Sequence, residues 1–407
     1  MKRRALLLGG AALALNGCRD DYGSGLFNPC LGGLPAELLQ HELVTAALAG
    51  IDAKQYWDGH VHLIGTGDSD SGIWVNPNMQ RFWHVKQYLQ FRFYLNASCS
   101  KGDDVDRDFL KRLLALHGEL PTGARLVLLA FDYSYDEKGR LQKNSSAFHT
   151  PNDYAAKVAA LHPGKLEWIA SIHPYRHDCV EALEQAVSQG ARAVKWLPPA
   201  MGMNPASSLC EPFYRAMKKH DIPLLVHAGE EKAVHGANTQ HHGNPLLLRK
   251  PLDMGVRVIV AHCASLGRSR DLDNANREVD SFDLFSRMMQ EKKYEGLLLG
   301  EVSAMTQVNR LGKPLDSILK NQRWHPRLIN ASDYPLPAVV PLFSLGKMVK
   351  QAYITEEQAE VLGEVRKYNA LLFDLLLKRM VRKDGLGLQD IVFNTRRVFE
   401  KQSTRVF

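Results

Sequence analysis

The chain has few cysteines. Six occur in 407 residues at irregular spacing, and Cys18 closes an N-terminal apolar stretch, which leaves an odd five. Such a set does not read as a disulfide framework, and Cys99, Cys179, Cys210 and Cys263 are expected as buried thiols. A strong charge of one sign is missing too. Removing Lys2, Arg3 and Arg4 leaves +4 of the formal +7, spread along the chain and not gathered into a basic run interleaved with aromatics. Nucleic-acid binding is therefore not expected. There is no internal repeat and no low-complexity tract. What remains, 45% hydrophobic and 23% charged, is the make-up of a soluble globular protein with a large core.

The N-terminus is set apart from the fold. Lys2, Arg3 and Arg4 form a basic start, and Ala5 to Leu15 is apolar, the length of a signal-peptide core and too short to span a bilayer as a mature helix. Leu15-Asn16-Gly17-Cys18 resembles the lipobox of a bacterial lipoprotein. That resemblance implies cleavage before Cys18, a lipid anchor on its thiol, and a periplasmic or membrane-anchored location. Gly23 to Gly33 reads as a tether, and Leu34 to Leu48 has apolar residues at the spacing of a first helix. The expected organisation is a leader over 1–18, tether and helix over 19–50, a main body over 51–384 and a C-terminal extension over 385–407.

The body alternates two kinds of segment. Apolar, β-rich runs lie near Tyr56–Leu63, Arg125–Asp132, Leu166–His173, Ala191–Leu197, Ile222–Ala228, Val256–His262, Gly296–Val302 and Arg327–Asp333. Amphipathic stretches such as His177–Gly190 and Ser208–His220 separate most of them. Gly190 and Gly255 stand where a glycine would end a helix just before a strand. Eight strands with alternating helices predict an α/β fold, a TIM-type (β/α)8 barrel with its site at the strands' C-terminal ends. The first connection, about 64–123, is too long for one crossover. It is expected as an insertion over the barrel mouth, with a helix in "MQRFWHVKQYLQFRFYL" and Phe91–Ala97 as an alternative strand.

Chemistry-bearing residues gather at the predicted strand ends. Asp58-Gly59-His60-Val61-His62 ends the first strand, and residues two apart on a strand project to one side. Two neutral imidazoles so placed can share a borderline metal ion. "IPLLVHAGE" ends a strand on His227, "VRVIVAHCA" on His262 and "RLINASDYP" on Asp333. Cys263 is expected to point away from the site if its strand continues.

With "DGHVHL", "GARAVKWLPP", "LLVHAG", "VIVAHC" and "NASDYP" in this order, the chain resembles the amidohydrolase superfamily over roughly Trp57 to Leu376. The branch of amidohydrolase-related decarboxylases and hydrolases matches best. The resemblance implies His60, His62, His227 and Asp333 as metal ligands, with His262 a ligand of a second metal or a donor to the substrate. Asp333 and His262 are then the implied catalytic pair, Asp333 taking the proton of the attacking water. Lys195 stands where binuclear members carry a carbamylated lysine bridging two ions, and where mononuclear relatives carry one that binds loops or a substrate carboxylate.

Three imidazoles and a carboxylate suit Zn²⁺, with one ion favoured and two as the alternative; a water on such an ion has its pKa lowered towards about 7. Candidate substrate contacts are Lys195, Arg176, Glu230, His241 and His242, with Glu231, His173, Glu301 and His235 nearby. The expected function is metal-dependent hydrolysis of an amide, ester or lactone bond in a small molecule. The alternatives are decarboxylation of a small carboxylic acid on the same site and a non-catalytic, lipid-anchored metal- or solute-binding protein. A phosphoesterase that also begins with H-x-H would need more histidine and carboxylate ligands than the chain offers. A homo-oligomer is compatible with the sequence.

Overall fold

The computed structural model describes residues 27–100 and 104–400 apart from positions 235 and 238. The leader with Cys18, residues 19–26 of the expected tether, and His235 lie outside the described residues. Eight parallel strands form the body: β1 Trp57–His62, β2 Arg125–Leu129, β3 Leu166–Ile169, β4 Val194–Trp196, β5 Leu224–His227, β6 Val258–Ala261, β7 Leu298–Glu301 and β8 Leu328–Ile329. Each falls within a run read as a strand from its apolar, β-branched composition, trimmed by a few residues at its ends.

Pairing runs unbroken from β1 through β2 to β3 and from β4 through β5, β6 and β7 to β8. A parallel bridge between Ala170 and Val194 joins the two sheets, and another between Val61 and Tyr334 returns the end of the last strand to the first. The ring of eight is therefore a (β/α)8 barrel closed through two narrow seams. Asp58 holds the closing seam: its Oδ1 accepts from the Ser332 N–H at 2.7 Å and from the His60 N–H at 3.4 Å. Gly59 has to be small, because a Cβ there would stand 3.1 Å from the Phe399 ring and 3.4 Å from the Asn330 carbonyl.

Strand alternation sorts the side chains into two layers. Val127, Leu129, Ile169, Ala193, Leu225, Ile259, Leu299 and Ile329 point into the barrel, while Leu126, Leu128, Trp168, Val194, Trp196, Val226 and Val260 pack outward on the helices. The C-terminal extension closes the far end. Val398 and Phe399 enter the inner cluster, where the Phe399 ring stacks on Trp57 with centroids 6.4 Å apart. Gly190 and Gly255 sit one residue past the C-caps of Cys179–Ser188 and Arg249–Asp253 with φ of +90° and +82°, as their placement predicts.

Three sequence expectations are corrected. The N-terminal helix is two, α1 Ala36–Leu39 and α2 Glu42–Leu48, because His41 turns extended and its ring caps α2 by accepting from the Leu43 N–H. The stretch Phe91–Ala97 is helical: the insertion carries α3 Val85–Ala97 and α4 Val105–Gly118, so no ninth barrel strand arises. Cys99 is not a free thiol. It is disulfide-bonded to Cys30 with their Cα atoms 5.7 Å apart, whereas Cys179, Cys210 and Cys263 are free and buried. Nothing in the spacing marks this pair, because the two cysteines are 69 residues apart and meet only when α3 folds back onto the N-terminal segment.

Candidate active site and metal centre

Inward-facing residues at the C-terminal strand ends build the site. Ala193, just before β4, and Lys195 on it face in; on β5, Leu225 and His227; on β7, Leu299 and Glu301. His60, His227, His262, Lys195, Glu301 and Asp333 are all buried, and only His62 is partly open. His262 reaches the site by another route. Alternation after Ile259 and Ala261 would turn it outward, but His262, Cys263 and Ala264 take φ of +53°, +50° and +49°, and the left-handed turn redirects it. Cys263, off the strand, points away from the pocket and lies 3.4 Å from the Glu301 carbonyl.

Asp333 is the hub. Its Oδ1 accepts from His62 Nε2 at 3.0 Å and lies 3.3 Å from His60 Nε2; its Oδ2 is 3.6 Å from His262 Nε2. Behind them stands Glu301, which accepts from His60 Nδ1 at 2.9 Å. Ser303 donates to Glu301 and so offers its oxygen to His262 Nδ1 at 2.6 Å. Both Nδ1 protons are thereby engaged, and both Nε2 atoms face Asp333 as lone-pair donors. Burial, foremost, holds the pKa values of His60, His227 and His262 well below the usual imidazole range, so these rings are neutral at pH 7.

A neutral His60 that gives its Nδ1 proton to Glu301 has no proton on Nε2, yet that atom faces a carboxylate oxygen. His60 Nε2 is buried with no hydrogen bond, and so is His227 Nε2, 3.4 Å from Glu231 Oε2. Lone pairs turned on carboxylates in a dry site are relieved by a cation between them. One ligand atom each from His60, His262 and Asp333 lies within 4.8 Å of the others, a group that can hold a metal ion. His262 thus joins the tightest trio, where the sequence resemblance put it second to His62 and His227.

The cluster floors a pocket of about 440 Å³. Its walls are mostly apolar and come from both barrel and insertion, among them Ile73, Met79, Phe91, Phe93, Phe148 and Leu342. Tyr94 on α3 latches the insertion by donating to the Ala233 carbonyl at 2.8 Å, so the expected cover over the mouth is present. Lys195 lines the pocket, buried, with its pKa lowered by desolvation against the pull of Glu301 and Asp333.

Several candidates lie elsewhere. Arg176 is held by Asp132 at 3.0 Å and Asp178 at 2.6 Å and is not among the pocket's lining, so it is no clamp for a substrate there. His241 and His242 meet edge to face in a short turn beside the pocket, outside its lining. Glu230 lines the mouth but is half-exposed and paired with Lys232, whereas Glu231 is the buried acid, its pKa pushed up to about 7 by burial. His173 is packed behind the wall, bonded to the Met201 carbonyl. Arg310 was missed. It lines the pocket, buried, donating to Ser265 Oγ at 2.7 Å; burial lowers its pKa to about 10 against the pull of Asp333 and Glu231. Nothing in its sequence context separates it from the other arginines.

The family model for amidohydrolases matches residues 57–285, more than half of the chain. This chain belongs to the amidohydrolase family. Its members are enzymes that act on small molecules with the help of a metal, and the His60, His262 and Asp333 cluster could hold one. No curated protein sequence matches the chain.

Among solved structures, it is similar to an uncharacterised TIM-barrel protein from Bordetella bronchiseptica, at 15% identity over 73% of this chain and 90% of that one, TM-score 0.46. A putative 2-pyrone-4,6-dicarboxylic acid hydrolase from Pseudomonas putida shows 16% identity over 84% and 97%, TM-score 0.44. A 2,6-dihydroxybenzoate decarboxylase from Rhizobium shows 12% identity over 79% and 98%, TM-score 0.41. Likenesses this distant assign no reaction to this amidohydrolase.

Proposed function

We propose that this amidohydrolase is a zinc-dependent hydrolase that opens an amide, ester or lactone bond of a small, largely apolar substrate. The observation that carries the reading is Asp333: one carboxylate facing three imidazoles at the floor of an apolar pocket. His60, His62, His262 and Asp333 would hold the ion, with His227 and Glu231 beside them. Nitrogen donors with one carboxylate suit zinc. When bound, the ion supplies Lewis-acid polarisation of the scissile carbonyl and of the attacking water. Asp333 accepts the water's proton and returns it to the leaving group. Lys195 and Arg310 hold positive charge beside the cluster, where the carbonyl oxygen gains negative charge. The apolar wall keeps bulk water from the reacting atoms. One ion is proposed, because one convergent group of ligand atoms stands among the described residues, and Lys195 then remains an amine.

The chain is proposed to work outside the cytoplasm, anchored through Cys18. The Cys30–Cys99 disulfide supports this, since such bonds persist in oxidising compartments.

Metal analysis of the purified chain beside His60→Ala/His62→Ala tests the centre. About one zinc per chain, lost in the double variant and kept in Lys195→Ala, is expected. Two ions would make Lys195 a bridge, and none after loading with several divalent metals would overturn the mechanism. In a screen of amides, esters, lactones and small carboxylic acids, product analysis separates hydrolysis from decarboxylation. Asp333→Asn is expected to abolish turnover with the fold intact; retained turnover would remove Asp333 from the proton path.

A further inference from the structure

The outer face of α3 is unexplained by the catalytic site. The inner face, with Gln90, Phe93 and Tyr94, lines the pocket. Outward, Val85, Leu89 and Arg92 share one stripe at helical spacing, and Phe82 and Trp83 precede them, 71% and 61% exposed. Exposed large apolar side chains in one patch mark an interaction surface. The charge here is one-sided. From Ser71 to Gly102 the sequence has no Asp or Glu, but it carries Arg81, Lys86, Arg92 and Lys101. Arg81 lies over the Trp83 ring, 5.7 Å from its centroid.

The chain's N-terminus leaves the body at the same helix. Phe27 stacks on Phe93 with centroids 5.8 Å apart, the Asn28 N–H donates to Asn96 Oδ1 at 3.2 Å, and Cys30 is bonded to Cys99. Residues 1–26, outside the described structure, carry the basic start, the apolar Ala5–Leu15 and Cys18. Fully extended, the chain from Cys18 to Phe27 reaches about 30 Å at most. The anchor at Cys18 proposed above, on which this step rests, would hold α3 close to the lipid.

We propose that the cover of the pocket is also the membrane-docking face: Phe82, Trp83, Val85 and Leu89 enter the interface of an anionic phospholipid bilayer, and Arg81 and Arg92 engage its headgroups. Aromatic rings with flanking cations suit that boundary, where one end of the residue is apolar and the other wet. A second copy of the chain fits less well, since a two-fold interface would set these cations against their own copies with no acidic partner. This docking is independent of the metal chemistry proposed above. It points the pocket mouth towards the lipid surface.

The test uses the full chain on vesicles of phosphatidylcholine with and without phosphatidylglycerol, with brominated acyl chains. Of the six tryptophans, Trp57, Trp168, Trp196 and Trp324 are buried, so quenching by the bromines reports mainly on Trp83 and Trp74. Quenching of the wild type on phosphatidylglycerol vesicles, at least halved in Trp83→Phe and several-fold weaker without phosphatidylglycerol, is expected. Equal quenching in Trp83→Phe and wild type would mean attachment through the leader alone and overturn the proposal. The same holds if a dimer forms in solution and dissociates in Phe82→Ser/Trp83→Ser, which would give the patch to a second copy.

Discussion

Glu301 faces His60 squarely, its two carboxylate oxygens 2.9 and 3.1 Å from Nδ1, and this contact decides which nitrogen of His60 looks at Asp333. A ligand imidazole needs its far nitrogen held in this way, or the ring turns and the wrong tautomer competes. Ser303 extends the same control to His262 from the same carboxylate.

Replacing Glu301 by Gln keeps the shape but removes the charge that fixes the His60 tautomer. Zinc affinity, read by competition with a chromophoric chelator, is expected to fall about 10- to 100-fold. The far-ultraviolet circular dichroism should be unchanged. Unaltered affinity would show that Glu301 fills space and does not tune the ligand.

Lys378 and Asp374 form a buried ion pair at 2.5 Å, and Lys378 also donates to the Ala331 carbonyl two residues before Asp333. Lys378→Met leaves Asp374 buried without its cation and is expected to cost about 3–5 kcal/mol in urea unfolding. Removing both charges in Lys378→Met/Asp374→Leu should restore most of that. A single variant as stable as the wild type would contradict the pairing.

His173 sets a pH dependence away from the metal. Its Nε2–H donates to the Met201 carbonyl at 3.1 Å and its Nδ1 accepts from the Tyr175 N–H at 3.2 Å, so a second proton would put two N–H groups face to face. Burial, foremost, pushes its pKa down from 6.5 to about 3. The unfolded chain then binds a proton that the folded chain refuses. The contribution of His173 is present in full above about pH 6.5 and is lost as pH falls through that window towards 3. The loss runs at up to about 1.4 kcal/mol per pH unit. Comparing unfolding of wild type and His173→Asn between pH 7 and 4 isolates this slope, and parallel curves would refute it.

Much of the barrel is legible in the sequence. Its strands are short apolar runs ending on His62, His227, Glu301 or a residue nearby, and such runs are visible because a parallel strand is buried on both faces. The glycines after the helices at 190 and 255 were legible for a related reason, since a left-handed cap favours one residue type. Arg310, the burial of Glu231 in place of Glu230, and the Cys30–Cys99 bond were not. Each depends on how a loop folds back, and loops carry no period to read. Arg176, His241 and His242 misled because a loop after a strand end does not have to lean inward; here Asp132 and Asp178 hold Arg176 aside.

By itself, the sequence determined the class of fold, the family, and the strand ends that carry imidazoles and carboxylates, because alternation along a strand is a local property of the backbone. The tertiary structure alone decided which of those groups meet. His262 would face outward on a continued strand, and three consecutive left-handed residues turn it onto Asp333. Closing the ring brings β1 against the end of β8, setting His60 beside a carboxylate 273 positions further along the chain. Contacts between residues that far apart exist only once the ring is shut, since nothing in the unfolded chain holds them near each other.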